Sequence, residues 1–167
     1  MLPIHTILHP TDFSERSEHA FRLACALARD YEACLIVMHA WTRPSLVYGE
    51  SLPYPDGDWL AEEADKNLRQ IQVSSPGLQL ERLLIESDAV PAILRIADER
   101  QVDLIVMGSH GRSGLRRFLM GSVAEQVLRR AACPVVTVQS PFHEMTAATS
   151  SEEAHSPEEL LHHLLDA

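Results

Sequence analysis

The feature that most constrains the fold is the regular alternation of short apolar runs with amphipathic stretches along this chain. The run from Cys34 to His39 is typical of a strand buried on both faces. Between Ala20 and Tyr31 apolar residues recur three and four positions apart, which indicates a helix with one buried side. Nine elements in the order β-α-β-α-β-α-β-α-β are predicted over residues 4–9, 14–31, 34–39, 59–73, 80–85, 88–100, 102–107, 121–132 and 134–138. This order implies a parallel sheet with helices on both faces and right-handed crossovers.

The length of 167 residues suits about one domain. We assign residues 1–140 to that domain, with a long proline- and glycine-containing loop at 42–57. Residues 141–167 are interpreted as an acidic linker followed by a short amphipathic helix that begins at Ser156-Pro157. The apolar side of this helix is expected to dock on its own domain or on a partner.

Charge and cysteine content exclude several classes of function. The net charge is -10, and the residues after Gln139 include six acids and no lysine or arginine. Such a balance argues against non-specific binding to nucleic acid or to anionic membranes. No apolar stretch approaches the roughly 18 residues of a membrane span, and the opening residues do not resemble a secretory signal. Three scattered cysteines without a CxxC pair fit a reducing cytosol, so we expect a cytoplasmic protein.

The most informative segment is the glycine-rich stretch 108–122, between the predicted strand four and helix four. Glycines let the backbone approach a ligand closely, and a helix N-terminus offers unpaired amides to an anion. Three arginines, Arg112, Arg116 and Arg117, cluster here in a chain with one lysine. Arginine pairs with phosphate through two hydrogen bonds, although such a run can also be a solvated surface. The segment follows neither the GxxxxGK[ST] nor the GxGxxG pattern.

The spacing of these glycines resembles a known signature. Gly108, two residues, Gly111, nine residues, and then Gly121-Ser122 match the G-x2-G-x9-G-[S/T] motif of the ATP-binding branch of the universal stress protein family. The opening ILHPTDFS of residues 7–14 is similar to the first strand and turn of that family. The resemblance spans roughly residues 3–140 and is weakest between 42 and 85.

The resemblance implies a five-stranded parallel α/β sheet of order 3-2-1-4-5, of the Rossmann-like adenine nucleotide α-hydrolase type. The nucleotide would lie across the carboxyl ends of strands one and four. Asp12 would face the nucleoside, and Ala40 would lie beside the adenine through its backbone. The implied binding residues are Pro10, Thr11, Asp12, Ala40, Met107, Gly108, Gly111, Arg112, Gly121, Ser122 and Val123. An alternative remains for Asp12, since Asp12-Phe13-Ser14-Glu15 also fits a capping box in which it would only start a helix.

The function we infer is regulatory binding of ATP, or of AMP or ADP, with Mg²⁺ accompanying the phosphates. The resemblance further implies a homodimer through strand five, at about Pro134 to Gln139, and an unidentified protein partner. Slow ATP hydrolysis is the enzymatic alternative, with His110 as a candidate base, although a spacer role for His110 is favoured. An interaction module with an unoccupied site is a third possibility. The histidines show no metal-ligand spacing, so no transition-metal site is expected.

Overall fold

A computed structural model describes residues 4–43, 58–73, 77–109 and 120–139 of the chain. In these ranges the elements are β1 (Thr6–Pro10), α1 (Glu15–Asp30), β2 (Cys34–Trp41), α2 (Asp58–Gln70), β3 (Leu80–Glu86), α3 (Ala89–Glu99), β4 (Leu104–Gly108), α4 (Ser122–Arg130) and β5 (Val135–Val138). The nine predicted elements are confirmed in type and order. Their ends coincide with the predicted ends or differ from them by at most three residues.

The five strands form one sheet of order β3-β2-β1-β4-β5, and every neighbouring pair is parallel. This confirms the predicted fold class. The chain builds outwards from β1 to β3, then crosses back to place β4 on the other side of β1. Because β1 lies where the order reverses, its carboxyl end borders a crevice between the two halves of the sheet.

Two hydrophobic layers bury the two faces of the sheet. On one face α3 and α4 pack over Leu8, Ile36 and Ile105. On the other face α1 and α2 pack over Ile7, Val37 and Val106. Neighbouring strand residues therefore point to opposite layers, as the pleat requires. This explains why the central strands are continuous apolar runs with no polar alternation.

β1 and β4 each begin two residues later than predicted. Asp103 accepts hydrogen bonds through Oδ2 from the amides of His5 (2.7 Å) and Thr6 (3.0 Å). These bonds lower the pKa of the Asp103 carboxyl. Asp103 therefore ties the start of β1 to the turn before β4, and the regular strands begin at Thr6 and Leu104.

Tyr31 departs from the predicted buried stripe of the first helix. It is the C-cap of α1 and is 38% exposed. The next residue, Glu32, has a positive φ of 54° that turns the chain toward β2. The helix therefore ends at Asp30, one residue before Tyr31, and the Tyr31 ring does not join the core.

The linker and helix assigned to 141–167 and most of the 42–57 loop lie outside the described residues. Of the helices in the described ranges, none has the length and apolar character needed to cross a membrane.

Candidate functional site

A pocket of about 350 Å³ opens at the carboxyl edge of the sheet, beside the ends of β1 and β4. This is the position at which open parallel sheets bind ligands. Its walls come from the ends of three strands and the first turns of three helices. The lining residues are Pro10, Thr11, Asp12, Ser17, Met38, His39, Ala40, Ala89, Ile93, Met107, Gly108, Gly121, Ser122, Val123 and Ala124.

The pairing between the two strands that border the crevice ends before the pocket. The β1–β2 ladder has five paired positions and continues to Pro10↔Met38. The β1–β4 ladder has two, Ile7↔Leu104 and Leu8↔Ile105, and stops before the pocket. The ends of β1 and β4 that line the pocket are therefore not paired with each other.

The turn between β1 and α1 is fixed by Asp12 and Ser14. Asp12 Oδ1 accepts from the amide of Ser14 (3.1 Å) and from its hydroxyl (2.6 Å). Ser14 is the N-cap of α1, and its Oγ accepts from the amide of Ser17 at 3.3 Å. The alternative in which Asp12 caps the helix is therefore wrong, because Ser14 occupies that position. Asp12 instead closes an Asx-type turn and lines the pocket.

Thr11 is held by four neighbours at the pocket wall. Its amide donates to Met38 O (2.8 Å), and its carbonyl accepts from His39 Nδ1 (2.7 Å). Its Oγ1 accepts from the amide of Phe13 (3.1 Å) and lies 2.9 Å from the hydroxyl of Ser17. These four contacts together fix the position of Thr11 at the pocket wall.

Phe13 occupies a backbone conformation that side chains seldom adopt, with φ at 61°. Besides the hydrogen bond to Thr11, its ring packs on that of His39, with centroids 4.5 Å apart. A positive φ at a bulky residue costs free energy and persists only where surrounding contacts enforce it. Here those contacts lie directly beside the pocket.

The N-terminus of α4 forms the opposite polar side of the pocket. Its first intrahelical bond runs from the amide of Glu125 to Gly121 O (2.9 Å), so the amides of Ser122, Val123 and Ala124 have no partner inside the helix. The backbone of Gly121, at φ -72° and ψ 153°, is extended. Unpaired amides and the positive end of the helix dipole together attract an anion.

Ser109 anchors the approach to this helix. The amide of Gly121 donates to Ser109 O (2.7 Å), and the amide of Ser109 donates to Val138 O (2.9 Å). The end of β4 and the start of α4 are thus held side by side next to β5. Both ends of the glycine-rich segment are fixed in this way, although residues 110–119 lie outside the described part of the chain.

A third part of the pocket is apolar. Met38, Ile93 and Val123 contribute aliphatic surface, and Ala40 and Ala89 contribute small side chains. A flat hydrophobic group can pack against such a surface without leaving a polar atom unpaired. The pocket can therefore accept a molecule with an apolar planar part and an anionic part.

His9 lies behind the pocket and is 1% exposed. Its Nδ1 is 2.8 Å from Val106 O, and its ring lies 5.6 Å from that of Phe21. Burial lowers the pKa of His9 from 6.5 to about 4, against smaller opposing effects of the Val106 hydrogen bond and the Asp12 charge. The imidazole is therefore neutral near pH 7, with its proton on Nδ1 because a carbonyl can only accept.

Nine of the eleven residues predicted as a binding site line this single pocket. They are Pro10, Thr11, Asp12, Ala40, Met107, Gly108, Gly121, Ser122 and Val123. The remaining two, Gly111 and Arg112, lie outside the described residues, as do His110, Arg116 and Arg117.

The sequence reasoning missed several wall residues, among them Ser17, His39, Ala89 and Ile93. Ser17 lies in the first turn of α1, directly after the turn formed by Asp12 and Ser14. Ala89 and Ile93 belong to α3, whose start follows the carboxyl end of β3. A parallel sheet brings every such helix start to the same edge, so the topology could have identified them.

The sheet order and the pocket define a Rossmann-like α/β domain with a pocket at the switch point of the strand order. The family model of the universal stress protein family matches residues 3–139. The chain therefore belongs to the universal stress protein family.

Three similar proteins give this assignment more detail. Universal stress protein MJ0531 of Methanocaldococcus jannaschii is 32% identical over 146 residues, which cover 83% of this chain and 84% of that protein. A universal stress protein solved in complex with cAMP has a TM-score of 0.58 and 25% identity, over 82% of this chain and 98% of that one. The Archaeoglobus fulgidus universal stress protein in complex with dAMP has a TM-score of 0.56 and 25% identity, over 83% of this chain and 100% of that one.

Proposed function

We propose that this protein is a regulatory module that binds an adenine nucleotide, with ATP as its ligand, in the pocket at the carboxyl edge of the sheet. Occupancy of the pocket would change the affinity of the protein for an unidentified protein partner. Such coupling requires that the partner distinguish the occupied from the empty form.

The observation that carries this proposal is the pairing of two surfaces in one pocket. The unpaired amides at the start of α4 suit a phosphate, and the apolar surface of Met38 and Ile93 suits a nucleobase. The separation of β1 and β4 leaves room for a ligand to span both. A nucleotide is a common ligand with this combination of an anion and a flat ring.

The bound ligands of similar proteins support the same class. One universal stress protein was solved with cAMP and another with dAMP, and both ligands are adenine nucleotides. ATP is the more specific part of the proposal. It rests on the glycine spacing, whose central residues Gly111 and Arg112 would add contacts to the outer phosphates.

Each wall has a proposed role toward the nucleotide. The backbone of Ala40 would lie along the adenine, and the Asp12 carboxylate would accept from a ribose hydroxyl. Gly108, Gly121, Ser122 and Val123 would contact phosphate, with Pro10, Thr11 and Met107 completing the wall. Asp12 is the acidic side chain of the lining, so Mg²⁺ arriving with the triphosphate would take most of its ligands from phosphate and water.

We also propose that the protein is a cytoplasmic homodimer joined through β5. β5 is an edge strand, and Val135, Val136 and Thr137 remain half-buried. An apolar edge of this kind invites pairing with a second copy. All three cysteines lie in the described ranges and none of them forms a disulfide there, which suits a reducing compartment.

The helix-terminus part of the proposal can be tested by removing one amide. Ser122 is the first residue of α4, where proline is tolerated, and Gly121 has the extended backbone that a following proline requires. Ser122→Pro therefore deletes an N–H and a hydroxyl while keeping the helix, and Ser122→Ala deletes the hydroxyl alone. Loss of a hydrogen bond to a charged phosphate should weaken ATP binding about tenfold or more in Ser122→Pro beyond any loss in Ser122→Ala, as measured by calorimetry.

Equal affinities in the two variants would show that the α4 amide does not contact the ligand. Mass spectrometry of ligand released from the purified protein would identify ATP, AMP or a cyclic nucleotide. If neither a released nucleotide nor a calorimetric signal were found, the interaction-module alternative would replace this proposal. Steady phosphate release from ATP that is lost in His110→Ala would favour the hydrolase alternative.

A further inference from the structure

The β1–β4 ladder ends because of one residue at the pocket. With Leu8 paired to Ile105, the next bond of a regular parallel ladder would run from the amide of residue 10 to the carbonyl of Val106. Residue 10 is proline and has no N–H to donate. Val106 is fully buried, so its carbonyl needs another donor to avoid a desolvation cost.

The side chain of His9 supplies that donor. Its Nδ1–H points to Val106 O at 2.8 Å, and the ring is almost entirely buried. This side-chain bond joins β1 to β4 at the position where the backbone bond of the ladder is missing. The strands are thereby held together at the depth where the pocket begins.

The other side of the ring leads into the pocket wall. His9 Nε2 lies 3.4 Å from Ser17 Oγ, and Ser17 Oγ lies 2.9 Å from Thr11 Oγ1. Ser17 and Thr11 both line the pocket, whereas His9 does not. A continuous set of contacts therefore runs from the Val106 carbonyl, through a buried ring, to the hydroxyls of two residues that line the pocket.

We propose that His9 is a positioning residue of the nucleotide pocket: it sets the spacing between β1 and β4 and, through Ser17, holds the Thr11 hydroxyl in the arrangement that the ligand requires. This inference rests on the proposed function, because its effect is exerted on nucleotide binding. The competing view is that His9 is a core residue that contributes stability alone. The two views differ in what happens to affinity when stability is reduced elsewhere.

Three substitutions in the full chain separate these views. His9→Asn keeps a donor at the δ position for the Val106 carbonyl, and His9→Leu fills similar space without a donor. Ile7→Val is the matched control, since Ile7 lies on the same strand and the same face but belongs to the hydrophobic layer. For each variant, the ATP dissociation constant at pH 7.5 is measured by calorimetry and the free energy of unfolding by urea titration.

The inference predicts that His9→Leu weakens ATP binding about tenfold or more, while His9→Asn stays within about threefold of the unchanged protein. Ile7→Val should lower the free energy of unfolding and leave the affinity unchanged. Wild-type affinity in a folded His9→Leu protein would overturn the inference, as would an equal loss of affinity in Ile7→Val. If His9→Leu does not fold, the test uses Ser17→Ala, which removes the hydroxyl between His9 and Thr11. Wild-type ATP affinity in Ser17→Ala would also overturn the inference.

A further readout needs no nucleotide, so failure of the proposed function can be distinguished from failure of this inference. Nuclear magnetic resonance of the unliganded protein should show His9 with its proton on Nδ1. Exchange of the Phe13 amide, which bonds to Thr11 Oγ1, should be faster in His9→Leu than in Ile7→Val. Unchanged exchange in both would refute the positioning role even if ATP did not bind at all.

Discussion

At the scale of single residues, the site depends on side chains that replace missing backbone bonds. Pro10 has no N–H to donate to the Val106 carbonyl, and the side chain of His9 donates to that carbonyl instead. Asp12 and Ser14 satisfy the amides of a turn that the strand-to-helix connection leaves open. Where a side chain takes the place of a backbone hydrogen-bonding group in this way, the local backbone differs from a regular strand or helix. These irregular segments form the wall of the pocket.

The buried His9 also predicts how stability depends on pH. Its pKa is about 4 in the folded protein and 6.5 when exposed, so between these values the unfolded chain binds a proton that the folded chain excludes. The contribution of neutral His9 to the free energy of unfolding is fully present above pH 6.5. This contribution is lost as the pH falls from 6.5 toward 4, and the loss amounts to about 3 kcal/mol.

Urea unfolding at pH 7.5 and pH 4.5 measures this loss. His9→Asn cannot titrate, so its free energy of unfolding should fall less than that of the unchanged protein between the two pH values. All other ionisable groups are shared, and therefore their contributions cancel in the comparison. The same pH dependence in both proteins would mean that His9 is not excluded from protonation by the fold.

At the scale of elements, the parallel sheet determines which chain segments meet. Each strand ends at the same edge, so the starts of α1, α3 and α4 converge on one pocket from distant parts of the sequence. In the described ranges the helices cover both faces of the sheet, and the two outer strands form its edges. One edge is β3 and the other is β5.

The β5 edge gives a prediction about assembly. Val136→Lys places a charge on the strand proposed to pair with a second copy, and burying that charge in a dimer would be costly. We expect the variant to sediment as a monomer while the unchanged protein sediments as a dimer. The control is Leu84→Lys on β3, the outer strand on the other side of the sheet, because Leu84 packs on the same hydrophobic layer as Val136. This control should remain a dimer. A dimeric Val136→Lys protein would contradict the proposed interface.

At the scale of the whole molecule, the described core lies within the first 140 residues. The two hydrophobic layers draw on residues from Ile4 to Val138. Both layers include strands from each half of the sheet, and the pocket also uses both halves. The domain and its site are therefore one cooperative unit, in which loosening the sheet at β1 is expected to affect the ligand wall.

A chain that ends at residue 140 tests this organisation. Because the layer residues in the described part of the chain all lie at or before Val138, we expect its thermal midpoint to lie within a few degrees of that of the full chain. A large loss of stability would show that the C-terminal segment belongs to the core. Comparing ATP affinities by calorimetry tests its regulatory role, and equal affinities would leave the 42–57 loop as the remaining candidate for coupling to a partner.

The sequence by itself determined the elements, their order and most of the binding wall. Apolar runs and helical spacing are local properties, and a series of strands joined by helices has few acceptable topologies. The order 3-2-1-4-5 and residues such as Asp12, Gly108 and Gly121 followed from the resemblance of local motifs to the universal stress protein family. The predicted burial of Tyr31 failed because periodicity does not mark where a helix ends.

Only the tertiary structure decided which distant residues complete the site and what the buried polar groups do. His39 reaches Thr11 across 28 positions, and His9 reaches the Val106 carbonyl across 97. Neither contact leaves a sequence signal, because it depends on strand register and on the direction in which each side chain leaves the sheet. Asp12 was ambiguous for the same reason: both a cap and a pocket wall fit its spacing, and the position of Ser14 at the helix start resolved its local role.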